Sequence, residues 1–142
     1  MDRIAIVAVS AVVGLMAILP GWQIMSDGSV YGFKLPLSWL RGTWPFGDYF
    51  VAGLVLLVVI GGGCLATAAV NVFSPRAGAV TALLMGFVLV GWIGGELVFM
   101  TETMIMTWLI LGSGVVLVAL AAPYAWPEVM SVTRRMGKAQ AA

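Results

Sequence analysis

Apolar positions run almost without interruption through four stretches of the chain, at residues 4–20, 49–73, 77–100 and 104–126. A helix needs roughly 20 apolar residues to cross about 30 Å of hydrocarbon, so each stretch reads as a span or close to one. Within lipid every backbone N–H must find a partner inside its own segment or barrel, leaving helices or a closed barrel. Barrel strands alternate apolar and polar positions. Runs such as 51–60 and 80–90 are apolar at nearly every position, which selects helices. The predicted fold is an all-α membrane protein of one domain, a four-helix antiparallel bundle.

The connections set the rest of the plan. Pro20-Gly21-Trp22 reads as a stop for an uncleaved first span, with an interfacial tryptophan. Residues 21–48 form the long polar-leaning connection. Asp27-Gly28 predicts a hairpin turn there, and Leu35 to Arg41 predicts a short interfacial helix. Asp48 stands just before the second span, where a carboxylate caps free N–H groups and faces the positive end of the helix dipole. Ser74-Pro75-Arg76 and Thr101-Glu102-Thr103 predict tight turns. Pro123 is expected to bend or end the fourth span, and residues 127–142 form an amphipathic tail.

Charge gives an orientation. With both termini cytoplasmic, the inside carries Arg3, Arg76, Arg134, Arg135 and Lys138, and the outside carries Lys34 and Arg41. Basic residues concentrate on the cytoplasmic side, so N-in, C-in is predicted, with 21–48 as an exterior loop.

Composition removes whole classes of chemistry. Hydrophobic residues make up 62% and charged residues 9%, against about 25% charged in soluble domains. There is no histidine, so His-ligated haem, His-based zinc sites and the commonest general base are absent. The one cysteine, Cys64, reads as a packing residue, because a lone thiol makes no internal disulfide or Cys-x-x-Cys pair. A net charge of +1 gives nucleic acid no basic face. No cofactor or metal is predicted; membrane lipid, including bound lipid, is the expected surrounding.

Glu96 is the one acidic residue inside an apolar span, and an ionisable group in hydrocarbon marks a functional position by default. It lies six residues before Glu102, hence within roughly 9 Å of the turn, from where it reaches the interface, Lys34 or Arg41. Trp92 stands one turn earlier. Gly91 and Gly95 have the spacing that lets helix backbones approach, as do Ser10 and Gly14 in the first span; Gly112 belongs to a small patch in the fourth. These are candidate packing interfaces, and Arg41 and Asp48 are candidate exterior-loop contacts.

Ser26-Asp27-Gly28-Ser29, Tyr31-Gly32 and Leu40-Arg41-Gly42-Thr43-Trp44-Pro45-Phe46-Gly47-Asp48-Tyr49, with Gly53-Leu54 and Gly91-Trp92, resemble a family of small four-span bacterial inner-membrane proteins. A proline common before the glycine of that family's second helix is Ala52 here. The resemblance implies the topology and a bacterial inner membrane, and supplies no active site. Two readings of function follow. The first is a non-catalytic accessory or assembly subunit that packs against other membrane chains. The second is a small homo-oligomeric transporter or lipid- or hydrophobe-binding protein using Glu96, lined by Trp92, Phe99 and Met100.

Overall fold

The computed structural model describes residues 3–40 and 47–140. Four helices are long and apolar enough to cross a membrane: α1 (Arg3–Asp27), α2 (Phe50–Phe73), α3 (Pro75–Phe99) and α4, which runs over Ile105–Gln140. The chain is a membrane protein by that measure. Consecutive helices pack against one another: most extensively α1 on α2, then α3 on α4, and least α2 on α3. Their contacts run in opposite senses. Arg3 meets the end of α2, while Gly21 meets Leu57 nearer its start.

Small residues set the distances between helices. A Cβ on Gly21 would stand 2.7 Å from the Leu57 backbone nitrogen, and one on Gly53 would stand 2.5 Å from that of Met25. Gly86 and Gly114 face each other's carbonyls at 3.0 and 3.1 Å in the same construction, so α3 and α4 touch backbone to backbone. Without a hydrophobic force between helices in lipid, such close packing is what holds a bundle together.

Helix α2 contains an eight-residue π-helical segment, Val55–Gly62. The sequence there repeats every four residues: Leu56, Ile60 and Cys64 are buried, and Gly53, Leu57 and Gly61 face α1. A wider, i→i+5 turn keeps a four-residue repeat nearer one face than an α-turn does.

One end of the bundle is tied by Asn71 and Arg3. The Asn71 amide donates to the carbonyls of Thr67 and Gly78, both at 2.9 Å, bridging α2 to α3 across the turn at Ser74. The Arg3 guanidinium donates to the carbonyls of Asn71 and Val72, satisfying the last turn of α2 with a cation at its negative end. Arg76 and Glu128 pair at the same end, 3.8 Å apart and exposed.

The opposite end is covered by residues 28–40. Helix α1 does not stop at Pro20. It continues to Asp27, because proline removes one intrahelical bond while Gly21 beside it seats α1 on α2. The stop is Gly28, left-handed at φ 67°, whose N–H reaches back to Ile24. The hairpin pairs β1 (Ser29–Val30) with β2 (Phe33–Lys34). Its turn is Tyr31-Gly32, not Asp27-Gly28, and both turn residues have positive φ, as a two-residue hairpin turn of this hand needs. A 3₁₀ turn follows at Leu37–Trp39. The Trp39 carbonyl then accepts from the Thr101 N–H at 2.8 Å, and Leu40 bridges to Met100. The segment is a strap fastened to the turn between α3 and α4.

Pro123 and Pro127 do not end α4 either. Both lie inside a helix of 36 residues, so the expected separate tail is the continuation of α4. At 1.5 Å per residue that helix is about 54 Å long, well beyond the hydrocarbon thickness.

Candidate functional site

On α3, Leu89 and Ile93 are fully buried, and Glu96 follows three residues later on the same inward face. On α4 the inward face carries Thr107, Ile110 and Leu117. The two faces meet where the Thr107 hydroxyl donates to Glu96 Oε1 at 2.8 Å. Thr107 is 3% exposed, so this bond is made inside the bundle. Glu96 therefore turns toward the helices and not out to the Glu102 turn. Among the described residues Thr107 is its hydrogen-bond partner and no cation pairs with it.

Two cavities meet at Glu96. One, of about 90 Å³, lies beneath the strap; its wall runs from Pro20 and Ile24 of α1 through Tyr49 and Leu56 to Met104 and Ile110. The other, of about 220 Å³, opens between α2 and α3 and takes in Leu40, Gly91, Gly95 and Phe99. Both are lined by Tyr49, Ala52, Trp92, Glu96 and Met100. A third space of about 280 Å³ lies between α1 and α4, which pack less closely than consecutive helices do, and shares Leu56, Met106 and Ile110 with the first. The first thus shares walls with each of the other two, and this joint lining is the slot, with the Glu96 carboxyl on the wall common to the first and second.

The slot is apolar apart from a few groups. Tyr49, 5% exposed, spends its hydroxyl proton on the Pro36 carbonyl at 2.7 Å, which also anchors the strap. Burial pushes the Tyr49 phenol above its ordinary range, so it stays neutral and keeps that bond. Methionines 100, 104 and 106 line the first cavity, and unbranched thioethers adapt to a guest of irregular shape. The arrangement can accept hydrogen bonds and enclose an apolar body. Among the described residues no cluster of His, Cys, Asp or Glu could hold a metal ion.

The other sequence candidates lie apart from this slot or on its rim. Gly14 packs into α2 against Leu65 and Gly61, and Ser10, one turn away, is fully buried with no hydrogen-bond partner for its hydroxyl among the described residues. Gly91, Gly95 and Gly112 face open space: a Cβ on any of them meets no atom of the described residues within 4 Å. Asp48 Oδ1 accepts from the Phe50 N–H at 3.0 Å at the start of α2. Arg41 lies outside the described residues. Cys64 is fully buried.

Sequence reasoning named Met100 but missed Thr107, the role of Tyr49, and the two further methionines, Met104 and Met106. Thr107 was findable: it is the one hydroxyl placed to face the inward stripe of α3 after a short turn. Tyr49 was not, because its role depends on the path of the strap. Comparison with protein-family models, characterised proteins and solved structures finds no match to this chain.

Proposed function

We propose that the protein is a non-catalytic integral membrane protein that holds a hydrophobic, lipid-like molecule in the slot at Glu96. One observation carries this reading: a carboxyl in the last turn of a span faces inward onto adjoining apolar cavities, held by Thr107, instead of escaping to the interface. A buried carboxyl is costly in such surroundings and marks a position kept for use. Polar groups aligned across the full length of the bundle do not accompany it among the described residues, so binding is favoured over conduction.

The same reading puts the protein in a bacterial cytoplasmic membrane with both termini inside. Arg3 and Arg76 lie at one end of the bundle, and Arg134 and Arg135 lie on the part of α4 that continues past Glu128, in line with the positive-inside rule. Releasing the protein from its native membrane in mild detergent and extracting bound small molecules tests the proposal. The expected result is one hydrophobic compound near stoichiometry, lost in Ala52→Phe, which fills both cavities that meet at Glu96. A bare chain refutes it.

A second reading, that the chain is an accessory subunit packed against other membrane proteins, is favoured by Gly91, Gly94 and Gly95. These form an open stripe on α3, where an added Cβ meets no atom of the described residues within 4 Å. Crosslinking from that stripe in native membrane, yielding a defined heteromeric adduct, supports this reading; crosslinks to lipid alone sink it.

A further inference from the structure

The polar groups facing the slot are matched to one kind of guest. Thr107 has committed its hydroxyl proton to Glu96, and Tyr49 has committed its own to the Pro36 carbonyl. Besides the Trp92 indole on its wall, the slot is lined by acceptor oxygens: those of the Glu96 carboxyl, Thr107 and Tyr49. No described cation balances the carboxylate. A guest that brings only acceptors, or a negative charge, leaves these groups unsatisfied or repelled. A guest with a protonated amine supplies several N–H donors and a positive charge together.

The apolar part of the slot has a matching shape. Its α1 wall runs from Val12 in the space between α1 and α4 to Ile24 beneath the strap. Twelve residues at 1.5 Å each give roughly 18 Å, an extended run for an unbranched alkyl chain. Val12, Met16 and Leu109 are about half exposed on the outer rim of that space, so it opens sideways, toward surrounding lipid if the helices span as read. From this geometry we infer that the guest is a single-chain lipophilic primary amine, seated with its ammonium on Glu96 and its tail between α1 and α4. The inference rests on the reading that the slot holds a membrane hydrophobe, and adds the chemistry of the head group and the pose.

The test uses the full chain in phosphatidylcholine nanodiscs, with dodecylamine, dodecanol and dodecanoate compared by native mass spectrometry and a saturation series. Dodecylamine binds one per chain and at least roughly tenfold more tightly than the alcohol or the carboxylate, the effect of one charge-assisted hydrogen bond. Glu96→Gln, which still offers Thr107 an acceptor, reduces amine binding to the level of the alcohol. Glu96→Asp keeps the preference, which separates loss of charge from loss of fold. Ser113→Trp, at the α1–α4 rim, weakens binding of all three probes. Equal binding of the three compounds, or an amine preference that survives Glu96→Gln, overturns the amine assignment and leaves the slot reading standing. Absence of saturable binding by any of the three overturns both.

Discussion

Replacing Gly78 with alanine should destabilise the bundle although alanine is the better helix former. A Cβ at position 78 would stand 2.5 Å from both Cγ and Oδ1 of Asn71 and 2.6 Å from its Cα. The Cα is backbone and yields little, so α3 must shift outward or the Asn71 side chain must leave. Overpacking of this kind costs about 1–3 kcal/mol. Displacing the amide forfeits its bonds to Thr67 and Gly78, about 1 kcal/mol each. Helix propensity returns about 1 kcal/mol. The expected net loss is about 2–4 kcal/mol. Gly91→Ala is the internal control, since its Cβ meets no described residue and only the propensity gain of about 1 kcal/mol remains. Equilibrium unfolding in mixed micelles with rising dodecyl sulfate, followed by tryptophan fluorescence, measures both. A Gly78→Ala protein as stable as the parent refutes the account of how α2 and α3 are joined.

Other consequences are open to measurement. Tyr49→Phe removes the bond to Pro36 and should cost about 1 kcal/mol, with faster hydrogen exchange confined to residues 28–40; unchanged exchange there would mean the strap is held by other contacts. Because burial raises the Tyr49 phenol, the stability it lends is full below the ordinary phenol range and lost as pH climbs through its raised value; Tyr49→Phe should remove that alkaline loss from a pH series of unfolding midpoints. Arg3→Gln should fray the end of α2 and lower stability by about 1–2 kcal/mol, read as lost protection at residues 70–73. Gly53→Leu should abolish the folded bundle, since α1 backbone lies where its side chain would go; recovery of a native-like circular dichroism melt would contradict that.

Much of the architecture was legible because the bilayer imposes one rule, apolar length, which composition displays directly. The helix ends were harder. Pro20-Gly21 has the local chemistry of a stop, yet Gly21 serves the contact with Leu57, and tertiary packing overrides the signal. Pro123 and Pro127 are carried the same way inside a long α4. The hairpin was expected one turn too early because Asp27-Gly28 and Tyr31-Gly32 both suit tight turns; Gly28 is used to end α1, which leaves the second pair for the hairpin. Spacing singled out Gly14, Gly91 and Gly95; of these Gly14 meets another helix among the described residues, as do Gly21, Gly53, Gly61, Gly63, Gly78, Gly86 and Gly114, which spacing did not mark. Spacing identifies a stripe; only the opposing backbone tells whether it is filled. Glu96 stood out by charge alone. Its inward direction depended on Thr107, a residue on another helix.

The claim that a hydrophobe occupies the slot is tested most directly by a photoactivatable single-chain amphiphile in native membrane vesicles, with adducts mapped by peptide mass spectrometry. The account predicts crosslinks concentrated on Met104, Met106 and Ile110, which line the cavity beneath the strap, and reduced by Ala52→Phe. Adducts confined to outward-facing residues such as Leu84, Phe87, Val98 and Trp108, with the slot residues unlabelled, would contradict it.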